Sequence, residues 1–321
     1  MDLLDIVRKK AKGFEKTKSV TGIEATIHHI EIAEKHYENG HEGREHLFTD
    51  VIYRTNQAFE GALKEAYRLF SGKEPGRKSP NDIERYLEKD NILKPRVLSQ
   101  FTTYRQEWRN KSTHDYQLFF TSQEAVLAIV SVTAFLNILL DQMQERSSFE
   151  QEKQKLGASS NAKVRLPLDY EKKDFLNQCV ALINLFSEEL KQETDQSSAL
   201  NGNALVGRLS AFISTSDAGI SIASEKQIDH ASGVLHVDLL LGKGTEEIIV
   251  EVKSATQQYD RKLIRAKEQI RHYLIAAKLK AGIVYAPVLR PTAKSEYEVS
   301  YAKTVRGEVQ IVSITPAIGA A

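Results

Sequence analysis

The chain has 321 residues, 41% of them hydrophobic and 27% charged, with only 17 Gly and 7 Pro. That is enough apolar material for a packed core, and at ordinary domain size it predicts two domains and excludes disordered, collagenous and low-complexity classes. Forty-four Lys+Arg against 43 Asp+Glu leave a formal charge of +1. Any nucleic-acid contact must therefore rest on local patches and not on a basic tail. The single cysteine, Cys179, excludes an intramolecular disulfide framework or a multi-cysteine zinc site and fits a reducing compartment.

The first residues carry Asp2 and Asp5 and no long apolar run, so they do not read as a secretory or transit signal, and a cytoplasmic location is expected. From there to about residue 148 the periodic stretches are helical. Residues 23–36, 51–70, 81–88, 95–111 and 123–144 space their apolar side chains three and four apart, which predicts an all-α bundle over residues 1–148. Thr121 followed by Glu124 is a capping-box signal for the last of these helices. Its segment 125–140 is apolar round most of its circumference but interrupted by Ser131, Thr133 and Asn137. It reads as a core or subunit-contact helix, shorter than a bilayer span, and no membrane association is expected.

Residues 149–165 are mostly polar, with a Ser/Gly/Asn cluster, and read as a linker. Residues 166–321 change grammar. A helix beginning near DFLNQC is followed by three β-rich runs, GISIASE, VLHVDLLL and EIIVEVK, joined by turn-rich connections, then by an amphipathic helix over 260–280 and the strand-like runs AGIVYAP and EVQIVSI. The order α-β-β-β-α-β predicts a mixed sheet flanked by helices.

Asp238 in the second run and Glu251 and Lys253 in the third are charges inside strands too apolar to carry them without a partner or ligand. Residues two apart share a strand face, so Glu251 and Lys253 point the same way. A hairpin closing symmetrically around GKGTEE sets Asp238 opposite Glu251, and two carboxylates that close repel unless a cation joins them. Mg²⁺ or Mn²⁺ suits such a pair, with Lys253 beside a bound water, which is a parts list for phosphodiester hydrolysis.

The pattern Asp238, Glu251-Val252-Lys253 resembles the PD-(D/E)xK nucleases, with Val237 standing where the family pattern has proline. In the following helix Gln269 and Tyr273 match the QxxxY element of the RecB-like branch. The resemblance implies a restriction-endonuclease-like α/β fold over about residues 170–288, an endonuclease with DNA as the preferred substrate, and Gln269 and Tyr273 contacting nucleic acid or ordering the site. Arg261 and Arg265 extend the same helix side as a basic stripe for phosphates. The family also implies an acidic metal ligand from the first core helix, Glu188 or Glu189, with Glu189 preferred. The opposing reading is that these residues are edge-strand charges, or that a degenerate fold only binds nucleic acid.

In the helical half, Arg109, Asn110 and His114 combine a planar phosphate clamp with a group that titrates near neutrality, suited to metal-free chemistry on RNA. In an all-helical context RNxxxH resembles the HEPN superfamily. That resemblance implies a homodimer with a shared cleft, Arg109 holding the scissile phosphate, His114 in proton transfer and Asn110 positioning the pair, with Arg105 and Lys111 adding charge. Fusions of these two types resemble effectors of prokaryotic defence against phages or plasmids, with a partner subunit as a further implication. Two alternatives remain at this level: a metal-independent ribonuclease toxin whose C-terminal half only grips nucleic acid, and a non-catalytic nucleic-acid-binding adaptor. The histidines at 28, 29, 36, 41 and 46 lack zinc spacings, and no Walker A or dinucleotide glycine motif occurs.

Overall fold

The structure is a computed structural model that describes all residues except 1, 90–91, 111–118, 159–165, 194–200, 231–232, 255–258, 288–294, 305–306 and 317–321. The chain divides into two compact units, Met1–Arg146 and Ser147–Ala321.

The first unit is helical. It comprises α1 (Leu3–Ala11), α2 (Val20–His41), α3 (Leu47–Ser71), α4 (Pro80–Glu88), α5 (Pro95–Tyr104) and the first part of α6 (Ser122–Ala158). The ends follow local chemistry. Asp2 accepts from the Asp5 amide, Ser79 and Asp82 form a capping box ahead of α4, and Gly72 takes φ +67 to stop α3. Thr121 and Glu124 cap α6 reciprocally, the Thr121 amide donating to Glu124 Oε2 at 2.9 Å. Phe59 stacks on Phe101 and Tyr104 and tilts against Phe135, so α3, α5 and α6 share one aromatic centre. Tyr104 donates its hydroxyl proton to Asn56 Oδ1 at 3.0 Å, which satisfies the buried phenol.

Two expectations change here. The helix expected over 95–111 is α5 followed by a single π turn, Arg105–Arg109, one residue wider than an α turn. The linker expected over 149–165 is helical through Ala158; residues 159–165 lie outside the described ones. The polar run is not a solvated connector because it has partners in the second unit. Glu152 is 3% exposed and bonds Arg208 Nε at 2.6 Å, and Leu156 joins the core beside α7 (Phe175–Lys191). By length and composition α6 could also cross a membrane, more than its segment 125–140 suggests, but 56% of its most apolar window is buried inside the protein. Ala125, Val132, Phe135, Leu136, Leu139 and Leu140 supply that burial in the bundle core.

The second unit is an α/β domain. After α7 and α8 (Gly202–Ser216) come β1 (Ser221–His230), β2 (Gly233–Lys243), β3 (Glu246–Val252), α9 (Tyr259–Ala277), β4 (Ala281–Tyr285), β5 (Ser295–Thr304) and β6 (Gly307–Pro316). The six strands lie in the order β1-β2-β3-β4-β6-β5. β1/β2, β2/β3 and β5/β6 are antiparallel, while β3/β4 and β4/β6 are parallel, so the sheet is mixed. α9 is the crossover that parallel β3 and β4 require. One sheet face, with Leu239, Val250, Val252, Ile283 and Ile314, packs under α7 and α8. The other, with Val237, Ile249, Val284 and Ile311, packs under α9 through Leu263, Ile270 and Leu274.

α8 and β5 are elements the sequence pattern did not single out. α8 is buried on all sides from Ala204 to Ile213, so no amphipathic stripe marks it.

Candidate functional site

The β2–β3 hairpin turns on Gly244 and Thr245, with Gly244 at φ +62. Lys243 pairs with Glu246, and the ladder runs up to Leu239 opposite Val250. One further step along that register brings Asp238 beside Glu251, the neighbourhood the hairpin arithmetic predicts. The Val252 amide donates to Asp238 Oδ2 at 2.8 Å, so Asp238 is tied to the top of β3 by a backbone bond.

β2 breaks alternation at this point. Val237 belongs to the core under α9, whereas Leu239 belongs to the core under α7 and α8, although residues two apart should share a face. Glu225, which stands across from Asp238 in the β1/β2 register, has φ +46, a left-handed conformation rare outside glycine and asparagine. The irregularity is local, since the pairs on either side keep one register. Such bulge-like breaks re-aim a side chain, and this one sits at the carboxylate in question.

Glu251 is 1% exposed, and its Oε2 has no hydrogen-bond partner. Its other oxygen is ion-paired with the Lys253 ammonium. Burial, and after it the charge of Asp238, push the Glu251 carboxyl up to about 7, against the opposing pull of Lys253. Lys253 Nζ also donates to Gln269 Oε1 at 3.4 Å, and Gln269 Nε2 donates to the Tyr273 hydroxyl at 2.6 Å. Tyr273 is raised by burial, opposed by the Gln269 hydrogen bond and raised further by Glu251 and Asp238. Glu251, Lys253, Gln269 and Tyr273 thus form one chain of contacts beside Asp238, on the face of the sheet covered by α9.

The remaining site expectations divide. Arg265 is exposed on α9, and the side chain of Arg261 lies outside the described residues. Glu189 does not join the carboxylate pair. Its charged neighbours are Lys155, Glu152, Glu193 and Arg208, and burial raises its pKa among them. Glu188 bonds Lys191 and is largely exposed. The reason is the layer order: α7 packs on the face of Val250 and Val252, opposite to the one where the Glu251 side chain lies. Among the described residues no group of three or more His, Cys, Asp or Glu is placed to share a metal ion. Asp238 and Glu251 are the two carboxylates at this face, and one or two carboxylates are what Mg²⁺ ordinarily takes from protein.

In the first unit the π turn carries Arg105 and Arg109. Arg109 donates to Asn110 Oδ1 at 3.2 Å and lies 3.9 Å from Glu84 Oε1 and 4.0 Å from Glu60 Oε1. Arg105 pairs with Glu88 at 2.8 Å and with Glu84 at 3.6 Å. Trp108 packs partly against the bundle core. His114 and Lys111 lie outside the described residues. Glu84, only 3% exposed, is a participant that sequence reasoning passed over. The available signal was an acid beside Ile83 on the buried stripe of an otherwise amphipathic helix.

No family model, no curated protein and no solved structure matches this chain.

Proposed function

We propose that the second unit is a metal-dependent nuclease of the PD-(D/E)xK type, with DNA as its preferred substrate, and that the first is a HEPN-like bundle serving dimerisation, sensing or RNA cleavage. One observation carries the reading: Asp238, Glu251, Lys253, Gln269 and Tyr273, which the sequence scatters over 36 positions, gather on one face of the sheet. The unpartnered Glu251 Oε2 beside Asp238 fits a hard divalent cation, because a buried carboxylate oxygen without a donor is costly and a neighbouring carboxylate makes it costlier.

Asp238 and Glu251 would hold Mg²⁺ or Mn²⁺. When bound, the ion supplies Lewis-acid stabilisation of phosphate charge and a more acidic water. Lys253 Nζ, held between Glu251 and Gln269, is available to orient the attacking water and to donate to a phosphate oxygen. Gln269 orders both neighbours at once, accepting from Lys253 and donating to Tyr273. The Tyr273 oxygen accepts that bond, which leaves its own proton to donate to the nucleic-acid backbone. Exposed Arg265 supports phosphate binding further along α9.

A second reading, the HEPN ribonuclease, is favoured by the π turn that ends in Arg109, because such turns recur at functional sites. Against it, Arg109 is flanked by Glu60 and Glu84, which compete with a phosphate for the guanidinium. Leu127 and Val130, both more than half exposed on α6, suit the homodimer of the proposal. A cytoplasmic defence effector with a partner subunit is part of the same reading.

The test is incubation of the full chain with plasmid, single-stranded DNA and RNA, each with Mg²⁺, Mn²⁺ or chelator. Cleavage lost with chelator and in Glu251→Ala but kept in Arg109→Ala is expected. RNA cleavage that survives chelator and Glu251→Ala but not Arg109→Ala would transfer the activity to the first unit. Salt-sensitive binding with no cleavage under any metal leaves the adaptor.

A further inference from the structure

A regular strand sends residues two apart to one face, and a constant register keeps the faces of two paired strands in step. β1 and β2 hold their register but do not hold their faces. Ser224 pairs with Leu239 and Lys226 with Val237, so neither strand carries an inserted residue. Yet Ile222 packs with the core under α7 and α8, and Ile228, an even number of residues further on, packs with the core under α9. Across the ladder Leu241 and Leu239 belong to the first core, Val237 and Leu235 to the second. Both strands therefore turn over at one rung, the one that holds Glu225 and Asp238.

Among the described residues, Glu225 and Lys278 are the non-glycine residues with positive φ. Lys278 follows α9, where a left-handed residue is an ordinary helix stop. Glu225, at φ +46, lies inside a strand. There a left-handed residue breaks the pleat, and the conformation is strained for any residue with a Cβ. The consequence falls on Asp238. Unbroken alternation from Leu235 and Val237 would send its side chain to the face of α7 and α8, away from Glu251. With the break, Asp238 lies with Val237 on the side of α9. Its Oδ2 accepts from the Val252 amide at 2.8 Å, and its charge reaches Glu251 and Tyr273.

We propose that Glu225 is a positioning residue for the nuclease site and acts through its left-handed backbone, which turns the β1–β2 ladder over and delivers Asp238 to Glu251. The inference rests on the nuclease reading for its purpose, whereas the geometry it claims is open to test without metal or substrate. What the position needs is a backbone angle, so substitutions rank by how well they take it. Glycine takes it freely, alanine at a cost, and β-branched valine worst. A role for the Glu225 carboxylate would give another order, with glycine, alanine and valine alike and glutamine closest to wild type.

The Val252 amide reports where Asp238 lies. Its hydrogen exchange is followed by NMR on the full chain in chelator, with the Val250 amide, in the ladder opposite Leu239, as the control for a folded hairpin. Glu225→Gly is expected to keep the protection of Val252 within about threefold of wild type, while Glu225→Val loses it about thirtyfold, as Asp238→Ala does, with Glu225→Ala between them. Val250 stays protected throughout. Cleavage with Mg²⁺ is expected to fall in the same order, by about a hundredfold from Glu225→Gly to Glu225→Val, since a displaced catalytic group costs on that scale. If Glu225→Val does not fold, Glu225→Gly against Glu225→Ala carries the same ranking. Equal protection of Val252 in Glu225→Gly and the bulkier variants, or protection lost in Glu225→Gly and kept in Glu225→Gln, overturns the positioning role and spares the nuclease reading. A wild type that cleaves nothing under any metal overturns the nuclease reading and the role with it.

Discussion

Each unit buries a glutamate, and the two differ in what faces it. Glu84 in the first unit looks at two guanidiniums, Arg105 and Arg109, which also face Glu88 and Glu60, so three carboxylates surround two arginines. Burial still raises its pKa, and the two arginines pull it back. Glu251 in the second unit looks at another carboxylate, Asp238, with Lys253 as its cation. Each leaves one buried carboxylate oxygen without a hydrogen-bond donor, Glu84 Oε1 and Glu251 Oε2. The Glu84 oxygen still lies 3.9 Å from the Arg109 guanidinium, whereas the charge that Glu251 meets besides Lys253 is a second carboxylate. A buried acid by itself says little about function; the sign of its surroundings separates an internal tie from a site awaiting a ligand.

The contrast is sharpest in activity. Asp238→Asn keeps an acceptor for the Val252 amide but removes the charge. It is expected to cut the single-turnover rate of metal-dependent cleavage by about a thousandfold, near 4 kcal/mol of barrier. A rate within tenfold of wild type removes the metal pair from the mechanism. Stability tests the two glutamates through different substitutions, since burial raises the pKa of both. Glu84→Ala removes the side chain that Arg105 and Arg109 share and leaves a gap at a position only 3% exposed; it is expected to destabilise by about 1–2 kcal/mol, read as a lower midpoint in urea.

Glu251→Gln, measured in chelator, is expected to do the reverse at high pH. The folded-state pKa of Glu251 lies above its ordinary 4.5, so the folded protein holds this proton more tightly than the unfolded chain. Wild-type stability therefore falls as pH rises from about 4.5 to about 7 and stays low above that. The glutamine has no such penalty and should gain on wild type by about 1–2 kcal/mol between pH 4.5 and pH 8. A constant difference across that range would show that Asp238 and burial do not act on Glu251 as described. The smallest effect is expected at Glu189→Gln. It faces Lys155 and Arg208 on the far side of the sheet, and its cleavage rate should stay within twofold of wild type.

Much of the second unit was readable because its signals are local. The two-residue turn at Gly244 and Thr245 and the strict alternation of β3 place Glu251 and Lys253 on one face and Asp238 across from them, and QxxxY puts Gln269 and Tyr273 one helical turn apart. The break in β2 at Asp238 was not readable, since a left-handed Glu225 has no composition signal. Nor was α8, whose all-round burial erases the amphipathic period. The end of α6 read as linker because Glu152 looks solvated until Arg208, 56 positions away, is seen to pair with it.

Register and turn type are decided within a few residues, by backbone geometry and by which side chains alternate, so the sequence alone sufficed to bring the two carboxylates and the lysine together. Which helix covers which face of the sheet is decided by burial summed over residues far apart in the chain. Only the tertiary structure could bring Gln269 and Tyr273 of α9 over Glu251 and turn Glu189 of α7 away from it.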